Sequence, residues 1–123
     1  MNATRSLTAF AALNGALAVL IGAFAAHGAA PEVKALLTTG GHYQMVHAVL
    51  ALVCAIWPGH SRLVGLAGWL AAGGGMVFCL SLAAIGLLGL PIMGAVAPVG
   101  GVLMIAAWLL VLVAALRSAS TVA

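Results

Sequence analysis

The sequence predicts an all-α integral membrane protein: a four-transmembrane-helix bundle with a short interfacial helix between spans 1 and 2. Three observations predict it. Only five of the 123 residues carry a formal charge. Hydrophobic residues make up 66% of the chain, and mean hydropathy is +1.31. The five charges (Arg5, Glu32, Lys34, Arg62 and Arg117) stand where one apolar stretch gives way to the next. A small water-soluble domain leaves much of its chain exposed, so a chain this apolar needs lipid as its solvent.

A spanning helix takes roughly 20 mostly apolar residues at 1.5 Å each. Four stretches meet or approach that length: Leu7–Ala26, His42–Trp57, Leu63–Leu88 and Val96–Leu116. They leave one modest loop, two tight connections and short tails, so residues 1–123 read as a single membrane domain.

Ser6 or Thr8 is expected to cap the first helix. Its small residues Ala11, Gly15, Ala18, Gly22 and Ala26 recur at helical spacing and share one stripe. Such stripes let backbones approach where lipid offers no hydrophobic drive between helices. Arg5, the apolar run and Gly28-Ala29-Ala30 have the outline of a signal peptide. The run of about 20 residues exceeds the usual ~7–15-residue apolar region, and Pro31 would follow the cut, so the segment is expected to be retained.

Between the first two spans, Pro31 suits the first turn of a helix, and Val33, Leu36 and Leu37 give it a short apolar face. The spacing predicts a stubby helix lying in the outer interface, ended by Gly40-Gly41. The second span closes at Trp57-Pro58, with Trp57 as an interfacial anchor. The third carries the stripe Gly68, Ala72, Gly75, Cys79 and Ala83, and the triplet Gly73-Gly74-Gly75 marks a close approach or a bend. The two prolines of Gly89–Pro98 make an irregular turn before the fourth span.

Charge sets the expected orientation. With four spans, Arg5, Arg62 and Arg117 fall on one side, and only Lys34, beside Glu32, falls on the other. The positive-inside rule then places both termini in the cytoplasm. Cys54 and Cys79 sit at different depths and are expected to pack rather than to pair.

Several classes are excluded. Four cations spread along the chain make no nucleic-acid patch. There is no metal motif, phosphate loop or nucleophile elbow, so no enzymatic activity is expected. No acid lies within a span, whereas membrane-buried charges ordinarily mark ion-coupled transport.

The remaining polar groups are His27, Tyr43, Gln44, His47 and Ser81, all placed by helical rise in the outer third of the bilayer. Asn14 stands alone near the middle of the first span, and His60 lies in a solvated cytoplasmic turn. The simplest expectation is that the five hydrogen-bond neighbouring helices. The sharper one makes His27, Tyr43 and His47 a cofactor site. Two imidazoles would ligate a metal or haem iron, or Tyr43 and His47 would hold a quinone or lipid headgroup. No third ligand has recognisable spacing, and aromatic residues are few.

At these positions the chain resembles a known family. Gly22-Ala-Phe-Ala-Ala-His-Gly28, Tyr43-Gln44 with His47-Ala48, and Pro98-Val-Gly-Gly101 before Trp108 are similar, in order, to the YgdD-like (DUF423-type) family of small four-span membrane proteins. Ala25 stands where that family usually has Gly, and Ala97 where it has Thr. Leu80-Ser81-Leu82 replaces a more polar stretch. The resemblance implies a multi-pass protein of the bacterial inner (plasma) membrane and directs attention to His27, Tyr43 and His47. It implies no activity.

The expected role is a non-enzymatic accessory or scaffold subunit, with the lipid bilayer and a larger membrane complex or a homo-oligomer as partners. The alternatives are a haem, metal, quinone or lipid binder, and a channel or carrier for a small neutral solute opened at the glycine triplet.

Overall fold

The computed structural model describes residues 2–59 and 61–122, so His60 lies outside the described residues. The described residues form four α-helices: α1 (Ala3–His27), α2 (Pro31–Ala55), α3 (Arg62–Leu88) and α4 (Ala97–Val122). A 3-10 turn at Pro91–Ala95 precedes α4. No strand occurs among the described residues.

Among the described residues, three helical stretches are long and apolar enough to cross a membrane: Ala3–His27, Arg62–Leu88 and Pro91–Ser118. At 25 residues α2 is just as long, but it is less apolar, with His42, Tyr43, Gln44 and His47 in its middle.

Asn2, rather than Ser6 or Thr8, caps α1: its side-chain oxygen accepts the Arg5 amide at 2.8 Å, satisfying one of the unpaired N–H groups of the first turn. Thr8 turns back on its own helix and donates to the Thr4 carbonyl.

Pro31 opens α2, where its missing donor costs nothing. The predicted stubby interfacial helix is corrected, because α2 runs unbroken through Gly40-Gly41 to Ala55. A Cβ on Gly40 would lie 3.1 Å from the Cys79 Cα, and one on Gly41 would lie 3.4 Å from the Ala18 carbonyl. The glycine pair is therefore a point of contact with α3 on one side and α1 on the other. Glycine inside a helix costs about 1 kcal/mol, and close packing on two neighbours offsets it.

Ser61 caps α3. Gly89 closes it in the left-handed conformation at φ 63°, with the amides of Gly89 and Leu90 both donating to the Ala84 carbonyl.

α2 packs against α1 and α3, and α3 packs in turn against α4; α1 touches α3 more lightly. The stripe predicted on α3 is confirmed from Gly68 to Cys79, all buried, with Ala83 half-buried. Val64, Ala67, Ala71 and Gly74 are also buried, since α3 has neighbours on more than one side.

The α1 stripe is partly corrected. Ala11 and Ala18 are buried, but Gly22 and Ala26 are exposed and Ala25 is buried in their place. The helix turns 3.6 residues at a time, so the extra four-residue step carries the predicted stripe off the contact line. Both cysteines are free and buried, as expected, with Cys79 packed on Gly40 and Cys54 on Gly68.

Of the glycine triplet, Gly74 and Gly75 are contact points. A Cβ on Gly74 would meet the Gly100 carbonyl at 2.8 Å, and one on Gly75 would meet the Gln44 Cα at 3.3 Å.

Candidate functional site

Two polar knots lie halfway along the helices. In the first, Asn14 of α1 donates from Nδ2 to the Phe10 carbonyl at 3.0 Å, and its Oδ1 accepts from Gln44 Nε2 of α2, also at 3.0 Å. Gln44 Nε2 also lies 3.6 Å from the Met76 sulfur of α3. Both amides are fully buried. The Phe10 carbonyl can only accept, so it fixes which end of Asn14 faces Gln44. Asn14 in turn fixes Gln44, leaving Gln44 Oε1 buried without a hydrogen-bond partner among the described residues.

In the second knot the Trp108 indole N–H of α4 donates to His47 Nε2 at 3.0 Å. Indole nitrogen only donates, so Nε2 carries the lone pair and the proton sits on Nδ1, which donates to the Tyr43 carbonyl at 2.7 Å. His47 is thus a neutral imidazole with both nitrogens engaged. A metal or haem iron bound there would have to displace the Trp108 N–H or break the bond to Tyr43.

Around His47 the rings form a chain. Tyr43 stacks on His47 at 6.4 Å and meets Phe78 edge-on at 5.3 Å, while His47 meets Trp108 edge-on at 6.1 Å. These rings line an open groove of about 520 Å³ between α2, α3 and α4, with Thr39, Gly101, Met104 and Ile105 completing its walls. The Tyr43 ring is partly exposed, and its hydroxyl has no hydrogen-bond partner among the described residues.

The outer polar layer expected from sequence is corrected in three respects. First, α2 starts at Pro31, so Tyr43 and His47 lie 12 and 16 residues along it, about 18 and 24 Å from its beginning. They are mid-helix, not near an end. Second, His27 is the exposed last residue of α1, and no hydrogen bond or ring contact ties it to Tyr43 or His47. Third, Ser81 is buried but donates to its own helix, at the Val77 carbonyl.

Asn14 is not alone, and His47 has a partner in Trp108 that no spacing in the sequence signals. One signal did lie in the sequence. Asn14 stands 13 residues before the end of α1 and Gln44 stands 13 after the start of α2, so an antiparallel hairpin brings them level. That reading needs the helix begun at Pro31 to run on through Gly40-Gly41.

Long apolar helices, small-residue contacts and internally bonded polar groups define an integral membrane protein. The family model described as "Protein of unknown function (DUF423)" matches residues 21–101, and the chain belongs to that family. A UPF0382 membrane protein of Staphylococcus epidermidis is 37% identical over 113 residues, covering 88% of this chain and 93% of the relative. The UPF0382 membrane protein YwdK of Bacillus subtilis is 35% identical over 113 residues, covering 86% and 92%. A Staphylococcus aureus member is 33% identical over a similar span. No solved structure matches the chain.

Proposed function

We propose that this chain crosses the plasma (inner) membrane four times as one bundle, with both termini cytoplasmic. On this reading it acts as a non-enzymatic accessory or scaffold subunit that docks on another membrane protein surface through α2. One observation carries the docking: over residues 34–43 the outward face of α2 is mostly polar, before it turns apolar from Val46 to Ile56. Lys34, Thr38, Thr39, His42 and Tyr43 are all exposed, whereas the exposed residues of α1 from Ala9 to Ala26 are uniformly apolar. Those of α4 from Pro98 to Leu116 are apolar too, apart from the indole of Trp108, whose N–H is bonded to His47. Polar side chains turned to lipid are costly, and they ordinarily face other protein or water.

The placement of Arg5, Arg62 and Arg117 supports the orientation. A cysteine introduced near either terminus is expected to react with an impermeant thiol reagent only after the membrane is opened. For the scaffold role, a tagged protein extracted in mild detergent is expected to run as a complex. A preparation containing only isolated monomers, with no cross-linked product from intact membranes, would defeat this reading.

The unpartnered Tyr43 hydroxyl in its aromatic groove favours a second reading, a site for a quinone or lipid headgroup. Gly101 lines the groove and a Cβ added to it meets no atom within 4 Å, so Gly101→Leu is expected to extend a side chain into the groove. Saturable binding of a quinone analogue that Gly101→Leu abolishes would support it, and binding indifferent to that change would remove it.

A further inference from the structure

We infer that the partner covering α2 is a second copy of this chain, related by a two-fold axis normal to the membrane; the inference rests on the docking reading above. Copies inserted with the same topology can meet across such an axis only with their α2 helices parallel. Each residue then lies level with its own counterpart.

The face is self-complementary under that symmetry. Glu32 and Lys34 are both exposed, and no salt bridge engages either of them among the described residues. At 100° per residue they point about 80° to either side of the line through Ala35, His42 and Val49. Rotating one helix by half a turn about an axis facing that line brings its Glu32 to the side where the other presents Lys34, and the converse on the far side. The two residues differ in height by about 3 Å, well within the reach of their side chains. Two reciprocal ion pairs result, flanking the seam as charged residues flank the contact line of a parallel helix pair.

The seam itself has the required spacing. Ala35, Thr39, His42, Val46, Val49, Val53 and Ile56 alternate steps of four and three residues, and every one is exposed. The exposed faces of other helices have similar spacing, but this one also holds an imidazole and a threonine hydroxyl inside the membrane. His42 lies 11 residues from the start of α2, about 16 Å along it. Across the two-fold axis the two imidazoles face each other, and one can donate to its neutral counterpart. Exchanging lipid for a second copy therefore gives His42 a polar partner, while the valines below it pack together.

The test is oxidative cross-linking in intact membranes. Single substitutions Ala35→Cys, His42→Cys and Val49→Cys are expected to give a product of twice the monomer mass. Leu109→Cys, exposed on α4, is expected to give little. The unsubstituted protein serves as background, because Cys54 and Cys79 are buried.

Charge reversal tests the pairing independently. Glu32→Lys is expected to lower the dimer fraction roughly fivefold, as for two exposed ion pairs, and adding Lys34→Glu is expected to restore it. All these positions are exposed, so the fold is not at stake. Equal cross-linking at α2 and α4, or a double reversal no better than the single one, overturns the inference. Products of some other mass at the three α2 positions show a different protein on this face, so the inference falls while the docking reading stands. No product at any of them removes both.

Discussion

The crossing of α3 with α4 and the junction of α1 with α2 are held together in opposite ways. At the first, the closest approach has no side chains at all: Cβ atoms added to Gly74 or Gly100 would fall 2.8 Å and 2.7 Å from the other's carbonyl oxygen. At the second, two buried amides bond each other across the gap, with Gly41 against Ala18 a little further along. In lipid the loss of water drives neither contact, and both depend on close packing and satisfied polar groups. The difference lies in what each can tolerate. A backbone crossing fails by steric intrusion, whereas a polar knot fails by leaving one partner unsatisfied.

The comparison breaks most sharply at Gly100. In Gly100→Leu the first side-chain carbon would lie 2.6 Å from the Phe78 backbone nitrogen, so α3 and α4 must separate. A loss of about 3 kcal/mol is expected, read as a large fall in thermal stability in detergent.

The amide knot should cost less. Gln44→Leu leaves Asn14 Oδ1 buried without its donor, for a loss of about 1–2 kcal/mol. Substituting leucine for Asn14 as well is expected to recover most of that loss, because no polar atom is then stranded. Denaturant titration of the two single variants and the double variant measures the difference.

Trp108→Phe keeps an aromatic ring, though a smaller one, and removes the N–H donated to His47. The expected cost is about 0.6 kcal/mol, close to the limit of the same titration. The smallest effect has the opposite sign. Gly101 neighbours Gly100 in sequence but faces open space, so Gly101→Ala is expected to stabilise α4 by about 0.5 kcal/mol. A gain at Gly101 beside a large loss at Gly100 would show that geometry, not glycine content, governs the crossing.

The breaks after α1, α2 and α3 are legible because local chemistry sets them, whereas the Asn2 cap that starts α1 is not. Pro31 starts α2, Pro58 and Gly59 separate α2 from α3, and Gly89 closes α3 with a backbone angle open mainly to glycine. Gly40-Gly41 misled because the same pair ends a helix in water yet serves as a contact face when two neighbours press on it. Reading it as a stop shifted the start of the second span to His42, and the depths of Tyr43 and His47 moved with it. His47 is singled out by its residue type, but its tautomer depends on Trp108, 61 positions away.

Composition and spacing by themselves determined that this is a helical membrane protein, where its breaks fall and which residues could form close contacts. Those features depend on interactions within a few residues and on the balance between lipid and water. Only the tertiary structure decided which small residues touch, which amide faces which, and that both nitrogens of His47 are engaged. Each of these is set by the rotation and depth of one helix against another, and an error of one residue turns a side chain by about 100°.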